Sequence, residues 1–145
     1  MPGSQVSTPK PCFFDTNILI YATIDQDAEK QRHAATLIAR AIAEGEFAIS
    51  AQVLKEFANT LVKKSDKTFK TIRQTVERFS PYAIVADTPA LVLKALDIQN
   101  AHGLQFFDAL LVAGAESAGC DILFSEDMAD GAKYGSITVR NPFTH

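Results

Sequence analysis

Short apolar runs of three or four residues alternate along the chain with longer segments whose apolar positions recur every three or four residues. The runs at 12–15, 47–49, 83–85, 121–124 and 137–139 read as short strands, the first of them buried. After the first, Ile18, Leu19 and Tyr21 suit a helical turn. Residues 29–44 carry Ala34, Leu37, Ile38, Ala41 and Ile42 at helical spacing, and Gly45 stops them. Ser50 is placed to cap a helix from 51 to about 64, with Leu54, Phe57, Ala58 and Leu61 inward. Another helix spans about 67–79, after which Pro81 breaks the pattern. Thr88 and Pro89 open a helix that carries Leu91, Val92, Ala95 and Leu96 inward. Residues 106–118 form a last helix, ended by Gly119.

Strands that alternate with helices of ten or more residues imply right-handed crossovers. The expected fold is a three-layer α/β/α domain with a central, mostly parallel sheet of four to five short strands. With 145 residues and 47% hydrophobic content, the chain can bury one sizeable core, so residues 12–145 are expected to form one domain. Residues 1–11, rich in Pro, Ser, Gly and Thr, read as a disordered tail. No apolar run approaches the ~20 residues that span a bilayer, and the first residues lack the order of a signal peptide, so a cytoplasmic protein is expected. Cys12 and Cys120 lie far apart in sequence and read as buried free thiols in a reducing compartment. The net charge of -3 excludes a protein that coats nucleic acid by bulk electrostatics and leaves room for a local basic patch.

In open sheets of this kind, sites form at the carboxyl ends of strands. Four acidic residues fall there or on helices able to reach there: Asp15 and Asp127 after strands, Glu56 and Asp108 on helices. Asp108 lies in the run Phe106-Phe107-Asp108-Ala109-Leu110-Leu111-Val112-Ala113, where the helix is apolar nearly all round and should be buried. Ionised burial costs several kcal/mol unless compensated, and the helix dipole returns only about 1 kcal/mol. That imbalance favours a functional role. Taken singly, Asp15 could serve only as a helix N-cap, Glu56 as a solvated glutamate, and Asp127 as one acid of a solvated loop with Glu126 and Asp130. Taken together, carboxylates without nearby His or Cys are hard oxygen donors of the kind that hold Mg²⁺ or Mn²⁺. Such a site suggests phosphodiester hydrolysis.

Four segments, FDTNILIY (14–21), SAQVLKEF (50–57), FFDALLVAGAESAGCDILFSEDMADG (106–131) and RNPF (140–143), make the chain resemble the PIN domain ribonucleases, and more closely the VapC-type toxins of toxin–antitoxin systems. The resemblance implies a metal-dependent endoribonuclease whose acidic site is Asp15, Glu56, Asp108 and Asp127. In it Asp15, Asp108 and Asp127 hold Mg²⁺, and Glu56 completes the site or orients the attacking water. Asn17 and Ser125 match small polar positions that support the site, and Asp130 is a candidate outer ligand. The resemblance also implies a homodimer and inhibition by an antitoxin whose peptide segment occupies the groove. One departure is Leu104-Gln105 before Asp108, where many relatives have a capping hydroxyl.

The residues themselves add a basic segment. Between 63 and 78, Lys63, Lys64, Lys67, Lys70, Arg73 and Arg78 stand against Asp66 and Glu77, a net +4 where the rest of the chain carries -7. Lys63, Lys67, Lys70 and Arg73 are therefore candidates to guide an RNA backbone, with an ordinary solvated helix face as the alternative. A haloacid-dehalogenase type of phosphotransferase needs an aspartate where Asn17 stands. A receiver domain needs a late lysine, and Lys133 is poorly placed for it. The stronger rival is a domain of this fold that only binds RNA or protein. His33, His102 and His145 are scattered and read as surface or helix-end residues, and the ten phenylalanines as core, with Phe69 the exception.

Overall fold

A computed structural model describes residues 10–144. Most of the expected tail, residues 1–9, and His145 lie outside the described residues, while Lys10 is exposed and pairs with Asp121 at 3.1 Å. The elements run β1 (Cys12–Phe14), α1 (Thr16–Thr23), α2 (Ala28–Ala43), β2 (Phe47–Ser50), α3 (Ala51–Lys64) and α4 (Phe69–Phe79). A 3-10 turn at Ser80–Tyr82 then leads to β3 (Ala83–Val85), α5 (Pro89–His102), α6 (Phe106–Ser117), β4 (Ile122–Phe124), β5 (Lys133–Tyr134) and β6 (Ile137–Arg140). The fold is α/β with a mostly parallel central sheet. β5 is a sixth strand beyond the expected number, antiparallel to β6 and two residues long. It is too short to carry any alternation that would reveal it.

The strand order is β3-β2-β1-β4-β6-β5. The chain moves outward from β1 to β2 and β3, then returns past β1 to build β4 on its other side. Right-handed crossovers in opposite directions put their helices on opposite faces of the sheet. α1 to α4 form one packed group, with α2 and α3 against β2; α5 packs on α6, which lies along β1, β2, β4 and β6. The two sets of helices diverge between β1 and β4, so a crevice opens at the carboxyl ends of those two strands.

β1 shows how both faces are filled. Phe13 and Phe14 are both fully buried and, being consecutive in a strand, point to opposite faces. Phe14 packs on Phe47 and Phe124, with ring centroids 4.8 and 5.1 Å away. The aromatic stack continues from Phe47 to Phe79 and Tyr82. Phe13 faces α6 at Gly114, where a Cβ would stand 2.9 Å from Phe13 Cζ. Glycine there lets the helix close on the ring.

Four inward assignments, those of Val92, Leu96, Phe107 and Cys12, need correction. Leu91 and Ala95 are buried, but Val92 and Leu96 are 44% and 46% exposed. The reason is that α5 packs chiefly on α6, so only its Leu91–Ala95 stripe is covered. Likewise α6 is not buried all round, because Phe107 is 59% exposed. Phe69 is 76% exposed, so two phenylalanines stand outside the core rather than one. Cys12 and Cys120 are free thiols, but only Cys120 is fully buried. Burial raises their pKa to about 11 and about 12, which keeps both as thiols near neutral pH. No helix among the described residues is long and apolar enough to cross a membrane.

The fit at Gly114 sets up a contest of two terms. Alanine favours a helix interior over glycine by about 1 kcal/mol, whereas overpacking a closed core costs about 1–3 kcal/mol. The Phe13 ring is fully enclosed, so the clash should win. Gly114→Ala is expected to lower the thermal midpoint in calorimetry; an unchanged or higher midpoint would mean the ring has room to retreat.

Candidate active site

Asp15 follows the last residue of β1 and caps α1. Its backbone N–H donates to the Phe124 carbonyl at 2.9 Å, which ties it to the end of β4. Its Oδ1 accepts from the Thr16 N–H at 2.7 Å, and its Oδ2 accepts from the Ser125 hydroxyl at 2.8 Å. The cap is therefore real, but only one oxygen performs it. The other ties the end of β1 to the end of the neighbouring strand β4.

Ser125 is fully buried directly after β4, where its N–H donates to the Arg140 carbonyl at 3.0 Å. Two residues on, Asp127 is exposed and its Oδ2 accepts a short hydrogen bond from Asn17 Nδ2. Asn17 and Ser125, both expected as supports, thus each hold one carboxylate. Glu56 lies on the exposed face of α3 and its Oε1 accepts from Gln52 Nε2 at 3.1 Å, one helical turn away. Asp108 stands in the first turn of α6, and its capping residue Gln105 makes no side-chain bond to the helix end. Asp108 is half-buried and borders the crevice, so the full desolvation cost expected for it is not incurred.

All four carboxylates line one cleft of about 210 Å³, together with Thr16, Asn17, Ile20, Ser50, Gln52, Thr60, Phe107, Leu110 and Leu111. Four separate segments converge there. Thr16 Oγ1 is buried with no hydrogen-bond partner among the described residues, which is the kind of polar atom that a bound group satisfies. The donor set suits a hard divalent cation. Among the described residues, however, no group of three or more His, Cys, Asp or Glu is drawn close enough to enclose one. The carboxylates share the cleft at a spacing that a cation would have to tighten.

Other expected residues lie elsewhere. Asp130 is outside the cleft lining, and its Oδ1 accepts from the Asn141 N–H at 2.8 Å, which fastens the closing Arg140-Asn141-Pro142-Phe143 segment. Lys63, Lys67, Lys70 and Arg73 are all exposed, and none borders the cleft. Lys70 and Arg73 line an apolar groove between α3 and α4, whereas Lys67 sits with Arg78 on the groove between α2 and α4. Arg73 is also paired with Glu77 at 3.1 Å. The basic segment is divided between two faces of α4 rather than gathered into one track.

Sequence reasoning missed Thr16, Thr60 and Phe107 as cleft residues, and treated Ser50 only as a cap. Ser50 is the last residue of β2, a strand's carboxyl end like the one Asp15 follows, and that position is its available signal. Glu126, next to Asp127, turns away from the cleft to Tyr21 and Lys30. Burial works to raise its pKa, but the bonds from Lys30 and Tyr21 outweigh that effect and hold the carboxyl below its ordinary range.

Burial raises the Asp15 carboxyl from 3.8 to about 6, against the lowering effect of its bonds from Ser125 and Thr16. In the unfolded chain the group ionises near 3.8, so between about pH 4 and 6 the native state keeps a proton that the unfolded state has lost. Its contribution to stability is therefore present at low pH, declines as pH rises through that window, and is flat above it. At ~1.4 kcal/mol per unit the decline is about 3 kcal/mol at most. Metal-free Asp15→Asn should lack this decline and be more stable than wild type at pH 7 in denaturant titrations. A less stable variant at pH 7 would contradict the assignment.

Three comparisons bear on this arrangement. The family model described as "PIN domain" matches residues 12–129. No curated protein matches the chain. Among solved structures, the chain resembles one in a "Toxin-antitoxin complex from Klebsiella pneumoniae", with a TM-score of 0.65 and 21% identity over 90% of this chain and 97% of that one.

Proposed function

Since the chain belongs to the PIN domain family, we propose that it is a Mg²⁺-dependent endoribonuclease that hydrolyses RNA phosphodiester bonds as the toxin of a toxin–antitoxin system. The observation that carries this reading is the convergence of Asp15, Glu56, Asp108 and Asp127 on one cleft at the topological switch point. Asp15, Asp108 and Asp127 would hold the cation, directly or through water. When bound, it supplies charge neutralisation at the phosphoryl group and a lowered pKa for the attacking water.

The chain's own groups do the rest. Glu56, which lines the same cleft as Asp108, accepts a proton from the attacking water as the new P–O bond forms; the bond to the ribose oxygen breaks and that oxygen leaves with a proton from solvent. Ser125 and Asn17 each hold one oxygen of Asp15 and Asp127, which orients those two carboxylates before substrate enters. The uncapped N-terminus of α6 adds a positive dipole end beside Asp108, which favours an anionic phosphate there. Lys63, Lys67, Lys70 and Arg73 would offset the acidic cleft for an approaching RNA backbone, from two sides of α4. An antitoxin partner is supported by the likeness to a chain from a toxin–antitoxin complex, whereas its segment in the cleft and a homodimer rest on family resemblance alone.

Incubation of the purified protein with structured RNAs and Mg²⁺ or Mn²⁺ tests the reading. Cleavage is expected, abolished by EDTA and reduced at least ~100-fold by Asp15→Asn, Asp108→Asn or Glu56→Gln. Cleavage that persists in both EDTA and Asp15→Asn defeats the metal mechanism. Absence of cleavage with every RNA favours a PIN-fold domain that only binds RNA or protein.

Charge reversal at Lys67 and Lys70 should weaken RNA binding and flatten its dependence on salt, as read by filter binding across a salt series. Unchanged affinity and slope would remove the basic segment from the RNA path.

A further inference from the structure

Glu126 stands between Ser125 and Asp127, yet both its carboxylate oxygens point away from the cleft. Tyr21 Oη donates to Oε1 at 2.8 Å, and Lys30 Nζ makes a short ion pair with Oε2. Lys30 is itself held over two rings, 4.9 Å from the centroid of Tyr21 and 5.3 Å from that of Phe143. Those rings meet edge to face at 5.2 Å. The side chains of the pair are only 33% and 22% exposed. Desolvation of that degree strengthens an ion pair relative to a surface one.

As a result, three consecutive side chains after β4 are tied to three different places. Ser125 bonds Asp15, Glu126 bonds α1 and α2 together, and Asp127 is held by Asn17. The backbone before Asp127 is thereby pinned by a group that never enters the cleft. Asp127 itself is exposed and receives one side-chain bond, so its position depends on that pin.

We infer that Lys30, Tyr21 and Glu126 form a positioning clamp that sets Asp127 for cation binding, with Glu126 excluded from the ligand set. This rests on the nuclease reading. In the clamp Lys30 removes the charge of one acid from a crowded loop and at the same time fixes the acid beside it. Phe143 completes it by offering a second ring to the Lys30 ammonium. Outer groups that orient ligands of a metal typically contribute 10–100-fold to its affinity.

The test measures Mn²⁺ alone, by electron paramagnetic resonance of the free ion, on the full chain. Lys30→Met and Glu126→Gln should each weaken Mn²⁺ binding roughly tenfold, and in RNA cleavage should lower kcat with little change in KM. Lys30→Arg, which keeps the charge and reaches the same carboxylate, should restore most of the affinity. Lys94→Met is the control for simple loss of an ion pair. It breaks the Lys94–Glu116 pair, which is 38% and 28% exposed and lies at the far end of α6 from Asp108, and should leave Mn²⁺ affinity unchanged.

Equal Mn²⁺ affinity in wild type, Lys30→Met and Glu126→Gln overturns the clamp while leaving the nuclease reading standing. Equal losses in Lys30→Met and Lys94→Met also overturn it, by reducing it to general stability. A wild-type protein that binds no Mn²⁺ overturns the metal mechanism, and the clamp with it.

Discussion

The hydrogen bond from Ser125 to Asp15 is the interaction on which the rest of the site depends. It joins the residues that directly follow the paired strands β1 and β4, where the chain order of the sheet reverses. Burial there pushes the Asp15 carboxyl up to about 6. Such a group persists because Ser125 and the Thr16 N–H each meet one of its oxygens. The bond is thus both the closure of a fold and the fixing of a ligand. If it were absent, the buried carboxylate would hold an unsatisfied oxygen, at a cost of about 1–3 kcal/mol or more.

From that anchor the neighbouring assignments follow by chain geometry. α1 starts at Thr16 because Asp15 caps it, and its first turn then presents Asn17 to Asp127. One turn later Tyr21 reaches Glu126. The helix therefore reads the loop after β4 at two points separated by four residues, the spacing that puts side chains on one face. α6 brings Asp108 to the same crevice because Gly114 lets it settle on Phe13 of β1. The position of the acid and the packing of the core are set by one helix.

Much of this was legible in the residues. Strand–helix alternation gave the parallel α/β architecture, and polar residues just after strands pointed to the crevice. Asp15, Asp108 and Asp127 stand out locally because each interrupts an apolar or strand-ending pattern. Glu56 does not, since its surroundings on α3 resemble any solvated helix face, and only the folded chain brings it to the cleft with Gln52 and Thr60. β5 was hidden because two residues carry no period. The inward assignment of Val92 and Leu96 failed for a different reason: apolar spacing says which residues could be buried, whereas the packing of α5 chiefly on α6 decides how many are. The orientation of Glu126 was equally unreadable, because Lys30 lies 96 residues away in sequence.

That long-range pair also explains how an acid-rich loop can serve a site that must not be too acidic. Ser125-Glu126-Asp127-Met128-Ala129-Asp130 carries three carboxylates within five positions, and mutual repulsion would spread them if all faced one cavity. The fold instead sends them three ways: Asp127 to the cleft, Glu126 to Lys30, and Asp130 to the Asn141 N–H. Each diversion uses the outlying carboxylate as a fastener, one for α1 and α2 and one for the closing segment. The alternation of acids along the loop is thus a division of labour between holding the loop and furnishing the cleft. It follows that charge count alone is a poor guide to ligands in such loops; the cation or backbone N–H that each carboxylate meets is what separates an anchor from a ligand.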